Sequence, residues 1–158
     1  MKSVLETKFV SKIAGKFFVP AYQRGYRWGA PEVRRLLDDV YNLSKYNERR
    51  KYCLQPIVVK KIGDGEFELI DGQQRLTTIF LIYKYMHKFS GGFITPPNFS
   101  LEYKTREKSA DFLANIDVER KDENIDFYFM ANAYEQMRST RPKTQPPCSR
   151  ASISAKFL

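Results

Sequence analysis

Apolar positions fall into short runs whose spacing changes from one segment to the next. Across 3–14, Leu5, Phe9 and Ile13 recur every four residues and Gly15 follows. That spacing predicts a short amphipathic helix with a glycine stop. Phe17, Phe18 and Val19 predict a short strand ended by Pro20. Val33, Leu36, Leu37, Val40 and Tyr41 then fall on one helical face, which predicts a helix over 31–44. Pro31 suits its first position, and Glu32 suits the positive end of its dipole. Residues 45–52 are polar and basic and read as a loop. Ile57–Ile62 and Phe67–Ile70 flank Gly63-Asp64-Gly65, the pattern of a β-hairpin. Asp71-Gly72 therefore sits at the end of the return strand.

The next stretch has two readings. Thr77, Thr78, Ile79, Phe80, Ile82 and Tyr83 have strand propensity. However, Leu76, Ile79, Phe80 and Tyr83 share a helical face, and the apolar run continues to Phe89 before Gly91-Gly92. A mostly buried helix over 72–89 is favoured. Asp71 followed by Gln74 has the form of a capping box. Residues 91–99 read as a loop, Leu101–Tyr103 as a short strand and Thr105–Ile116 as a helix with Ala110, Leu113 and Ala114 on one face. Ile125 to Met137 reads as the start of another helix. From Arg138 to Leu158 acidic residues and apolar periodicity vanish while Pro142, Pro146 and Pro147 block helix continuation, which reads as a disordered tail.

Composition narrows the chemistry. The chain has 158 residues, the length of a single domain, and is 42% apolar and 15% aromatic, too rich for a disordered chain. One histidine and two cysteines exclude Cys/His zinc sites and disfavour His-metal nucleases. Cys53 reads as a small buried residue, and His87 as covering a helix end. The cysteine content fits a reducing compartment. No run approaches a membrane span, so a cytoplasmic protein without a membrane partner is expected. The net charge of +9 suggests an anionic partner. Yet Arg138, Arg141, Lys143, Arg150 and Lys156 put more than half of it in the tail.

Two segments place polar groups inside otherwise apolar structure. In Pro20-Ala21-Tyr22-Gln23-Arg24-Gly25-Tyr26-Arg27-Trp28, the arginines could bind phosphate and the aromatics could stack on bases. A core role for the aromatics is the competing reading. In Asp71-Gly72-Gln73-Gln74-Arg75-Leu76-Thr77-Thr78, a strand-to-helix junction offers free N–H groups and a positive dipole end. Gly72 permits close backbone approach, Arg75 could pair with phosphate, and Thr77 or Thr78 could supply a hydroxyl. A helix start with a surface arginine is the competing reading here. No P-loop or GxGxxG pattern is present.

Taken together and in this order, the two segments closely resemble the DGQQR-motif family. That family is the N-terminal domain of GmrSD-type modification-dependent restriction endonucleases, a branch of the ParB/sulfiredoxin-like superfamily. The resemblance covers about residues 3–137 and implies an α+β fold, a small mixed sheet with flanking helices, followed by the basic tail over 138–158. It implies a nucleotide site and NTP hydrolysis with Mg²⁺. Asp71, Gln74 and Arg75 are the catalytic candidates. Gly72, Gln73, Gln74, Arg75, Thr77, Thr78, Tyr22, Gln23 and Arg24 are the nucleotide-binding candidates, and no residue is assigned to a protein metal site. Asp71 could cap the helix, hold Mg²⁺ through water, or polarise an attacking water. In full-length members a His-Asn-His nuclease domain often follows; a single histidine means that none is present in this chain, whose tail resembles a truncated or frame-shifted end. Cleavage would then need a nuclease subunit or a missing C-terminal domain. The alternative is a non-catalytic, ParB-like DNA-binding module, with Arg24, Arg27, Arg34, Arg35, Arg49, Arg50 and Lys51 on DNA phosphates.

Overall fold

The computed structural model describes residues 4–46, 52–116, 133–134 and 153–157. Strand β2 (Gly15–Val19) lies inside a four-stranded mixed sheet whose order is β4 (Val58–Gly63), β5 (Glu66–Asp71), β2 and β6 (Phe99–Tyr103). Strands β4 (Val58–Gly63) and β5 (Glu66–Asp71) form the expected antiparallel hairpin. Strand β2 pairs in parallel with β5 on one side, Phe17 opposite Phe67. On the other it pairs in parallel with β6 (Phe99–Tyr103), Phe17 opposite Leu101. Gly15 makes this sheet possible. Its φ is +112°, and a Cβ there would lie 2.5 Å from the Gly65 carbonyl, which accepts the Lys16 N–H at 2.8 Å.

Helix α1 (Ala30–Tyr46) agrees with the sequence reading, and Val33 and Leu36 are its buried face. Glu32 reaches back to accept the Gly29 N–H at 2.9 Å, half of a capping box. Helix α2 (Gln73–Phe89) settles the ambiguous stretch in favour of a helix. Residues Leu76 to Ile82 are all buried, so the helix runs through the core, which explains why alternation is absent there. Phe17 stacks on Phe67 at 5.2 Å and meets Phe99 edge-on at 5.7 Å, and Phe99 meets Phe80. These rings join three strands to α2. The result is the expected α+β fold.

Four local readings are corrected. Among the described residues, no α-helix forms over 4–14. Residues Glu6–Phe9 are strand β1, followed by a 3-10 turn over Val10–Lys12. The four-residue spacing misled because Leu5 and Phe9 are exposed, while Val10 and Ile13 are the buried pair. Strand β1 pairs antiparallel with β7 (Ile153–Phe157), which also pairs in parallel with the short β3 (Tyr52–Cys53). Within the stretch read as a disordered tail, residues 153–157 are thus a strand. The alternation Ile153-Ser154-Ala155-Lys156-Phe157 has the period of two that a strand needs, and the prolines before it hid it. Helix α3 covers only Ser109–Ala114, with Ser109, Phe112 and Leu113 buried. The Ser109 hydroxyl accepts the Tyr103 N–H at 2.8 Å and fixes where the helix begins. Finally, Cys53 is exposed rather than buried. The helix expected over 125–137 lies outside the described residues except for Ala133 and Tyr134, which are helical.

Candidate functional site

The junction between β5 and α2 passes through Gly72, whose φ is +93°. A Cβ at this position would meet Ile57 Cγ1 at 3.1 Å and Ile57 Cα at 3.2 Å, so conformation and space both require glycine. No side chain caps the helix. The first intrahelical bond runs from Leu76 N–H to the Gly72 carbonyl at 2.9 Å. The N–H groups of Gln73, Gln74 and Arg75 precede it, at the positive end of a 17-residue helix. Of the three roles left open for Asp71, helix capping is thereby removed, and no capping box joins it to Gln74. The Asp71 carboxylate, 66% exposed, instead accepts from Arg75 Nη2 at 3.3 Å.

Residues 20–28 close against this junction through side chains from both segments. Pro20 ends β2, leaving the far end of β5 without a neighbour on that side. The Gln23 amide takes the vacated position, and its Nε2 donates to the Leu69 carbonyl at 2.7 Å and the Ile70 carbonyl at 2.8 Å. Gln74 reaches the opposite way. Its Oε1 accepts from the backbone of Arg27 at 2.7 Å and Trp28 at 3.3 Å, and its Nε2 donates to the Gly25 carbonyl at 2.9 Å. Thr78 donates to the Gln74 carbonyl at 2.9 Å, so its one hydrogen is committed and the Tyr26 hydroxyl donates to Thr78 Oγ1, also at 2.9 Å. Burial pushes the Tyr26 phenol well above its ordinary range, outweighing the bond to Thr78, so Tyr26 remains protonated.

The candidate residues therefore divide into two groups. Gln74, Tyr26, Thr77 and Thr78 are buried and face inward, and Thr77 pairs with the Tyr103 hydroxyl at 2.7 Å. Neither threonine hydroxyl reaches the surface. Arg75 is mostly enclosed, its side chain 18% exposed. It donates to Gln55 Oε1 at 3.0 Å and to the Pro56 carbonyl at 2.7 Å, besides Asp71. The Gln55-Pro56 step, which carries no local signal of such a role, is thus part of the site. Tyr22, Arg24, Arg27 and Asp71 face outward, with Tyr22 71% exposed. Arg24 makes no hydrogen bond or ion pair among the described residues and sits between the anchored Gln23 and Gly25. Arg34 and Arg35 are exposed on α1, whereas Arg49, Arg50 and Lys51 lie outside the described residues. His87 does close its helix end, its Nδ1 bonding the Ile94 carbonyl at 2.6 Å.

Residues 6–151 match the family model of the GmrSD restriction endonuclease, N-terminal domain. Comparison with curated proteins finds no match. The match spans nearly the whole chain and runs past residue 137, and the chain belongs to this family.

Proposed function

We propose that the chain binds a nucleoside triphosphate at the start of α2 and serves a phage-defence restriction system whose DNA cleavage is carried by a nuclease partner or a further domain. The observation that carries the nucleotide reading is the uncapped start of α2. There, three N–H groups stand beside Gly72, and the Tyr22–Trp28 segment is tied next to them with Arg24 exposed. Free N–H groups, a dipole end and an arginine together favour phosphate over a neutral ligand. Asp71 is the exposed carboxylate of the junction. Among the described residues, no three His, Cys, Asp or Glu side chains converge. In this reading Mg²⁺ arrives on the phosphates and meets Asp71 through water. In this reading the same carboxylate polarises the attacking water if the nucleotide is hydrolysed.

The test is calorimetric titration of the full chain with Mg-ATP, Mg-GTP and tripolyphosphate, for wild type and Arg24→Ala. Loss of one charge-assisted phosphate contact is expected to weaken affinity about tenfold, ~1.4 kcal/mol. Equal affinity in the two proteins removes Arg24 from the site, and no binding of any of the three ligands to wild type rejects the reading.

Exposed Arg24, Arg34 and Arg35 favour a second reading, a DNA-phosphate surface without nucleotide. It requires affinity for duplex DNA that falls steeply with salt in the absence of NTP, the logarithmic slope easing by about one for each arginine removed.

A further inference from the structure

Each of the two segments sends one glutamine out to backbone beyond itself. Gln23 leaves the Tyr22–Trp28 segment and bonds two carbonyls at the end of β5. Gln74 leaves the first turn of α2 and bonds three backbone groups of the Tyr22–Trp28 segment. An amide is the group this geometry needs. Gln74 must accept from Arg27 and Trp28 while donating to Gly25, which neither a carboxylate nor a hydroxyl can do at that reach. Both acceptor positions of its oxygen are used within the protein. Its side chain is buried, while Gln73 beside it is only half-buried.

We infer that Gln74 and Gln23 are positioning residues, a reciprocal pair of amide clamps that holds Arg24 and the Tyr22–Trp28 segment in register with the free N–H groups of α2. The ligand half of this inference rests on the nucleotide reading above; the clamp itself does not. Gln74 then acts on the ligand through the segment it holds, and its removal uncouples Arg24 from the site. Gln23 fixes the other side of Arg24, so that arginine projects from a segment pinned before and after it.

Amide hydrogen exchange on the full, ligand-free chain reads the clamp directly. In Gln74→Ala the Arg27 and Trp28 amides lose their acceptor and are expected to exchange at least about tenfold faster, while amides in the buried middle of α2 keep their wild-type rates. Gln74→Glu, which keeps an acceptor for the two amides but sets its second oxygen against the Gly25 carbonyl, is expected to exchange at rates between those of Gln74→Ala and the wild type. Should Gln74→Ala not fold, Gln74→Asn, one methylene short of the reach, reads the same exchange. Titration with Mg-ATP reads the ligand half. Arg24→Ala is expected to cost about tenfold in the wild-type background and less than about twofold in the Gln74 variant, because the clamp is what couples them. Unchanged exchange at Arg27 and Trp28 overturns the clamp. Weakened nucleotide binding with unchanged exchange also overturns it, because Gln74 would then touch the ligand itself. A wild-type chain that binds no nucleotide removes the ligand half, and the exchange experiment still decides the clamp.

Discussion

Two helices in this domain begin in the same unusual way. Both α2 and α3 follow a residue in the left-handed conformation, and neither has a side-chain cap. At α2 the residue is Gly72, pressed against Ile57. At α3 it is Lys108, with φ of +62°, exposed and carrying the strain of a side chain in that region. The start of α3 is occupied from within, since the Ser109 N–H bonds the Arg106 carbonyl and its hydroxyl bonds Tyr103. That of α2 is surrounded by buried polar contacts while its own first N–H groups are left open. An uncapped start is thus not a binding feature by itself. What sets the start of α2 apart, and what the proposed nucleotide site rests on, is that the helix is long, the residue leading into it has no side chain, and a second segment is fastened alongside.

Substitutions around the two helix starts should separate them. Gly72→Ala forces a Cβ into Ile57 at a φ that alanine resists. It should cost about 3 kcal/mol of stability, seen as a lower urea midpoint at unchanged slope. A cost near zero would mean that Ile57 moves aside freely and the junction is not packed as described. Tyr26→Phe leaves Thr78 without its buried donor and should cost about 1–2 kcal/mol. It should also alter the alkaline limb. The folded-state pKa of Tyr26 is raised, so the unfolded chain loses its proton first as pH climbs past the ordinary tyrosine value of about 10. Stability therefore falls above that pH in the wild type, and less steeply in Tyr26→Phe. The smallest effect belongs to α3. Lys108→Gly relieves the left-handed strain and should stabilise by about 0.5 kcal/mol after the extra freedom of glycine in the unfolded chain. The same change measured by nucleotide titration should do nothing.

What could be read from the sequence follows a similar divide between local and distant causes. Helix α1, the β4–β5 hairpin and the position of Gly72 were legible because each depends on neighbours a few residues away. Strand β1 was not, because what makes it a strand is β7, which lies far along the chain and follows a proline-rich stretch. Helix α3 was read too long because its start is set by Tyr103, a contact from the preceding strand. Within the candidate site, residue types pointed to two segments that the fold brings together but not to the direction of each side chain. Gln74 and Arg75 are adjacent polar residues on a helix start. Only the fold sends the first toward Gly25 and the second toward Pro56. Thr77 and Thr78 read as ligand hydroxyls for the same reason, since a threonine on a core helix bonded to tyrosine looks no different in sequence from one on a surface.

Strand β2 has a consequence for how the molecule is assembled. It is synthesised early, yet both of its partners are parallel and come much later, at Glu66–Glu68 and Phe99–Tyr103. Parallel pairings over such separations form slowly, whereas the β4–β5 hairpin can form by itself. During translation the first signature segment must therefore wait, unseated, until β5 and the first turns of α2 have left the ribosome. Fragments cut between β2 and β5 are expected to lack both the sheet and the junction. Splitting this domain for expression would succeed only by co-producing the two pieces.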